Sequence, residues 1–200
     1  QPEGEELVLQ VRIQVLGADG EVFLESFGAY EGTKNNKQAD TGLTVAHGGK
    51  IANWSSSGAG AVHAVDRSMR TSETALTPSD WAIMIFKDNV ITSSEISANA
   101  SGKSYEVSFE TAPAAYGDLS QATKAGDALL IEVLRKDGSV LKSFEHTPGA
   151  WSGKSEFATT QFSYQGDGSG DIRLRIRAAG SKTDDRFIGA IDNLTLKETK

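Results

Sequence analysis

The residues of this 200-residue chain best equipped for chemistry are its three tryptophans, a few tyrosines and three arginines spaced two apart. Sugar recognition uses aromatic rings that stack on the C–H faces of a pyranose, with polar side chains reading the hydroxyls. Trp81 opens the apolar run Trp81-Ala82-Ile83-Met84-Ile85-Phe86 and reads as core. Trp54 ends a short strand beside the small, flexible 55–60 stretch, where core and rim are both open to it. Trp151 sits in Pro148-Gly149-Ala150-Trp151-Ser152-Gly153, a loop signature in which an indole is costly unless packed or used. Packing and ligand contact fit it equally. Tyr116 follows Pro113-Ala114-Ala115, and Tyr30 begins the long 29–41 connection, so both are candidate loop-tip platforms. Arg173, Arg175 and Arg177 share one strand face, where guanidinium could grip the carboxylate or sulfate of an anionic polysaccharide. The plainer reading pairs them with cross-strand carboxylates such as Glu106, Glu110 or Glu132, since alternation makes outward charge ordinary.

Catalytic constellations are thin. His47, His63 and His146 are the only histidines; none lies in a zinc-protease motif, and no Gly-x-Ser-x-Gly elbow or phosphate-cradling glycine loop is present. His63 stands between apolar neighbours on a strand, where a hydrogen-bonded structural imidazole is usual. Asp167-Gly168-Ser169-Gly170-Asp171 lacks the third spaced carboxylate and the bidentate Glu of an EF-hand, so it reads as a turn. Asp184-Asp185 reads as a solvated loop. The triplets at Asn53, Asn99 and Asn193 match the glycosylation pattern by chance. Two carboxylates at glycosidase separations could still converge from distant strands, which one sequence does not display.

The elements that must position these residues are strands. Apolar side chains occupy every odd position across residues 7–15, and Asp19-Gly20 supplies a hairpin turn towards a returning strand over 21–27. Tyr105, Val107 and Phe109 alternate with Glu106, Ser108 and Glu110. Leu129, Ile131 and Val133 run into Asp137-Gly138 and return as residues 140–144, the clearest hairpin in the chain. Ile172, Leu174 and Ile176 alternate with the arginines, and a last strand covers about 187–196. The 29–41 connection, with Lys34-Asn35-Asn36-Lys37, has no core pattern, and residues 119–125 are the only helix candidate of any length. No internal repeat or linker divides the chain, so it predicts one all-β domain over 1–200, an antiparallel β-sandwich (jelly roll) of eight to twelve strands.

Composition removes other classes. Twenty basic against 27 acidic residues give a net charge of −7, which disfavours nucleic acid and anionic lipid as partners. The absence of cysteine excludes disulfides, thiolate metal sites and cysteine nucleophiles. No window approaches the ~18 apolar residues of a spanning helix. Gln1-Pro2-Glu3-Gly4-Glu5-Glu6 is acidic and is no signal peptide, which suggests a domain processed or excised from a larger secreted protein.

The runs SYEVSFETAPAAYG, ALLIEVLRKDGSVLKSFEHTPGAW, GDIRLRIRAAG and FIGAIDNLTL, in that order, resemble the closing strands of galactose-binding-like jelly-roll domains. FLESFGAYEG and IANWSSSGAGAVHAV resemble that superfamily's opening segments. Many of its members are carbohydrate-binding modules attached to secreted bacterial proteins. The resemblance implies a structural calcium pinning the opening segment to the last strand, with Asp192 of AIDNLTL as one ligand and Glu25 as the other. Gly28 stands where the family has Glu, so Glu25 or Glu31 would have to reach by a different path. A hard dication takes six to eight oxygens. The bland alternative is that Asp192 caps a bulge that shifts Ile191 and Leu194 out of register.

The expectation is therefore a secreted, non-catalytic carbohydrate-binding module at a polysaccharide or cell-surface glycan. Trp151, Tyr116, Tyr30 and Trp54 would be its platforms, Arg173 and Arg175 secondary contacts, and Asp192 and Glu25 the calcium ligands; companion domains would complete the parent protein. A structural or adhesive surface module is the alternative class, and a jelly-roll polysaccharide-degrading enzyme comes third.

Overall fold

The computed structural model describes residues 20–28, 30–31, 34–37, 44–58, 62–67, 81–116, 119–180 and 184–200. In chain order its strands are β1 (Glu21–Glu25), β2 (Tyr30–Glu31), β3 (Lys34–Lys37), β4 (Thr44–Ile51), β5 (Trp54–Ser57), β6 (Val62–Asp66) and β7 (Trp81–Phe86). They continue as β8 (Val90–Ser93), β9 (Ser104–Ala112), β10 (Leu129–Arg135), β11 (Val140–His146), β12 (Ala158–Gln165), β13 (Ile172–Ala178) and β14 (Phe187–Thr199). The 119–125 helix candidate is a single 3-10 turn, Leu119–Gln121. Among the described residues no helix is long and apolar enough to cross a membrane.

These strands make two antiparallel sheets. The larger runs β12-β9-β14-β7-β6-β4-β2, with β1 also on β14 and β3 also on β4; the smaller runs β11-β10-β13-β8-β5. The expected all-β antiparallel sandwich is the fold observed. Asp137-Gly138 turns β10 into β11 as its residues require, Gly138 taking a φ of 88°. One expectation is corrected here: the connection over 29–41 contains strands β2 and β3, both paired to β4. The alternating segment over 7–15, with Asp19, lies outside the described residues, as do the side chains of Glu31 and His47.

Period-two patterning explains the core. Ile131 and Val133 of β10, Leu174 and Ile176 of β13, Ile91 of β8, and Val107 and Phe109 of β9 all point between the sheets and are buried. Each such side chain contributes about 1.5–3 kcal/mol on burial. The run Trp81–Phe86 is apolar throughout because both of its faces are covered. Ile83 and Ile85 enter the inter-sheet core, while Ala82 and Met84 join a second cluster with Val65, Phe187 and Ala190. Tyr116, Trp151, Phe157 and Phe86 pack over that cluster from outside the larger sheet.

Candidate functional site

Trp54 begins β5 immediately after the chain crosses from the larger sheet to the smaller through Ile51-Ala52-Asn53. Asn53 makes that corner with a φ of 62°, and its carbonyl accepts from the Ser94 amide at 2.7 Å. The indole is half-buried against Phe23 and Phe27, with ring centroids 6.4 and 5.7 Å away. Its Nε1 donates to Glu25 Oε2 at 3.0 Å, while Glu25 Oε1 accepts the Phe27 amide at 2.6 Å. One carboxylate thus fixes both the indole and the end of β1, where Phe27 takes a φ of 51°. Beside the ring opens a cavity of about 230 Å3 lined by Lys50, Ile51, Trp54, Ser55, Ser56, Val62 and Ile91. Its walls are the Trp54 indole and three aliphatic side chains, and its polar side chains are Ser56 and the exposed Lys50. At ~30 Å3 per water the space holds several waters, the scale of one sugar ring.

The arginines of β13 face outward over the smaller sheet, and one buried carboxylate organises them. Of the three acidic candidates, Glu132 is the partner. Arg175 Nε donates to its Oε2 at 2.6 Å, Arg177 Nε to the same oxygen at 3.0 Å and Arg177 Nη2 to Oε1 at 3.3 Å. Burial works to raise the Glu132 pKa, but the two arginines outweigh it and hold the carboxyl below its ordinary range. Arg173 instead donates from Nη2 to the Lys136 carbonyl at 3.2 Å.

The remaining aromatic candidates pack. Tyr30 is a correction: it is 4% exposed, its ring lies 5.9 Å from Trp81, and its hydroxyl donates to the Val62 carbonyl at 3.0 Å. Burial pushes its pKa up to about 12. A two-residue strand, not a loop tip, holds it. Tyr116 lies between His63 and Phe187, at 5.2 and 6.0 Å, and Trp151 is half-buried on the same outer cluster with its amide on the Thr123 carbonyl. Neither stands free as a platform, and neither is brought near Trp54's cavity lining.

The two carboxylates named for calcium engage different partners. Asp192 is 3% exposed; its Oδ2 accepts from Arg67 Nη1 at 2.8 Å and its Oδ1 from the Asn193 amide at 2.7 Å. Arg67 also pairs with Glu110 and lies 4.8 Å over the Phe157 ring. Glu25 is committed to Trp54 and Phe27. The surroundings of Asp192 therefore fit a guanidinium rather than a hard dication, and among the described residues no three His, Asp or Glu side chains gather as a metal site. The bulge reading of Asp192 matches the geometry: register shifts between Asp192 and Thr195, and Asn193 takes a φ of 45°. Desolvation raises the Asp192 pKa against the pull of Arg67, whereas Arg67 lowers that of Glu110.

Asp167 likewise serves its turn. Its carboxylate accepts from the Ser169 amide, Arg135 Nε and Asn99 Nδ2 at 3.0, 2.6 and 2.9 Å, which holds it well below the usual range. Asp184 and Asp185 are exposed as expected, and Asp184 also receives Arg186 Nη1 at 2.5 Å. Sequence reasoning missed Arg67 altogether; a lone cation after the apolar strand at 62–65 was its only signal.

No known family profile matches the chain, and no curated protein does. Solved structures similar to it include TmCBM61 in complex with β-1,4-galactotriose, at 19% identity over 84% of this chain and all of that one, with a TM-score of 0.48. The C-terminal family 22 carbohydrate-binding module of Clostridium thermocellum Xyn10B is similar at 12% identity, covering 90% and 94% of the two chains, with a TM-score of 0.46. The K3 cleaved adhesin domain of Lys-gingipain from Porphyromonas gingivalis is similar at 12% identity, covering 88% and 98%, with a TM-score of 0.47. Likeness at this level carries nothing to the residues of the site.

Proposed function

We propose that this domain is a non-catalytic carbohydrate-binding module of a secreted protein, acting on a polysaccharide or cell-surface glycan beside companion domains. The observation that carries the reading is the Trp54 cavity. An indole locked in place by Glu25 forms one wall, with Ser56 and Lys50 as hydrogen-bonding groups around it. An apolar face for C–H groups and a few placed polar atoms is what a pyranose needs. Arg173 and Arg175, on the other face of the smaller sheet, offer further polar contacts.

The test is calorimetric titration with a panel of soluble neutral and anionic polysaccharides. Saturable binding that falls at least tenfold in Trp54→Ala and persists in Trp151→Ala supports the reading. Silence across the panel overturns it in favour of a structural or adhesive module, and release of reducing ends from a polysaccharide would instead establish an enzyme.

A further inference from the structure

We propose that the outer face of the smaller sheet binds an anionic sugar, a uronate or a sulfated residue, through the free edge of the Arg175 guanidinium. This rests on the carbohydrate-binding reading and narrows it to a class of glycan. Strand register brings Ser143, Glu132, Arg175, Thr92 and Ser55 into one file across all five strands, each opposite the next. Their neighbours Ile131, Val133, Leu174 and Ile91 face the core, so the file lies outside. Five strands at the usual spacing make it roughly 19 Å long, a track on which a polymer can lie.

The charges on this track do not cancel. Glu132 is a single anion held by two guanidiniums, and Arg173 adds a third cation roughly 6.8 Å further along β13. Glu145, in the adjacent file, lies two strands from Arg177. Arg175 reaches Glu132 with Nε alone; among the described residues its two Nη groups meet no protein acceptor. That edge is a two-pronged donor matched to the paired oxygens of a carboxylate or sulfate. The bond to Glu132 fixes the guanidinium plane before a ligand arrives, which lowers the ordering cost of binding. In a chain of net charge −7, this is an unusual place for an unspent cation. Thr92 and Ser55 continue the file with hydroxyls, and Ser55 Oγ donates to the Thr92 carbonyl at 3.3 Å.

The experiment compares matched polymers by titration: dextran with dextran sulfate, and galactan with polygalacturonate, each against the wild type, Arg175→Gln and Lys103→Gln. Arg177 still holds both Glu132 oxygens in Arg175→Gln, so that variant should keep its fold, checked by near-ultraviolet circular dichroism. The expected result is that one anionic member binds at least about tenfold tighter than its neutral counterpart. That preference disappears in Arg175→Gln and persists in Lys103→Gln, and whichever anionic polymer shows it separates carboxylate from sulfate. Equal binding of neutral and anionic members, or a preference that survives Arg175→Gln, overturns the proposal and leaves carbohydrate binding standing. Absence of binding to all four overturns both.

Discussion

Arg67 and Asp192 stand 125 residues apart in the chain and 2.8 Å apart in the fold, the guanidinium covering a carboxylate that water does not reach. The pair ties the end of β6 to the bulge in β14. Removing the cation strands a buried anion, so Arg67→Met should cost about 2–4 kcal/mol in urea unfolding at pH 7. Asp192→Asn, which removes the charge itself, should cost less. Chelation should leave the wild-type midpoint unchanged; a structural ion held at 100 times its Kd would contribute ~2.7 kcal/mol, so a fall on that scale would contradict the guanidinium assignment.

The Glu132 cluster is asymmetric, and stability should report it. Glu132→Ala leaves two half-buried guanidiniums facing one another and should cost about 2–4 kcal/mol. Arg175→Ala should cost only about 1 kcal/mol, because Arg177 retains both carboxylate oxygens. Equal losses in denaturant titrations would contradict this division of roles.

Trp54→Phe keeps an aromatic ring against Phe23 and Phe27 but deletes the Nε1 donor. It should cost about 1–2 kcal/mol by leaving Glu25 Oε2 unpaired. Glu25→Ala, which loses the Phe27 amide bond as well, should cost more; glycan affinity should fall in both.

Acidification should weaken the fold in two steps. The His146 pKa is lowered from 6.5 by burial beside Phe109 and Phe144, so below that value the unfolded imidazole takes a proton that the folded one resists. Stability therefore drops as pH falls through the upper step. Glu110 and Glu132 are held below 4.5, so what they contribute is present above the ordinary carboxylate range and lost as pH falls through their folded pKa values. Asp192, raised by burial, works in the opposite sense and softens the acid limb. In unfolding midpoints measured from pH 7 down to about pH 2, His146→Gln should remove the first step and leave the second.

A Cβ at Gly166 would lie 2.3 Å from the Ala100 carbonyl oxygen, so Gly166→Ala should destabilise by about 2–3 kcal/mol. Gly126→Ala is the control for sterics: nothing lies within 4 Å of its Cβ, and only its φ of 82° is penalised.

Periodicity made strands legible and left their neighbours hidden. The β10–β11 hairpin, the alternation of β13 and the closing strand could be read because apolar residues repeat every second position and Asp137-Gly138 marks the turn. The same period could not choose among Glu106, Glu110 and Glu132 for the arginines, because that choice depends on which strand lies alongside β13. Strand β3, Lys34-Asn35-Asn36-Lys37, has no apolar residue, and its strand character comes from pairing with β4. Tyr30 reads as a loop tip because glycine, asparagine and lysine follow it, whereas its burial depends on Trp81, 51 residues on. Trp54 is legible as a candidate from its loop-flanked position, whereas its bond to Glu25, 29 residues away, has no local signal.

Strand β14 occupies the middle of the larger sheet, between β9 and β7, and also carries β1. A nascent polypeptide consequently cannot complete the larger sheet until residues 187–199 emerge from the ribosome. At roughly 5–20 residues per second, the facing edges of β7 and β9 wait several seconds for the strand that joins them. Glu25 waits with them, since the strand that carries it is seated on β14. A stall or clip before residue 187 would therefore leave the larger sheet split between β7 and β9, and would leave Glu25, the carboxylate that orients Trp54, on a strand with nothing to pair to.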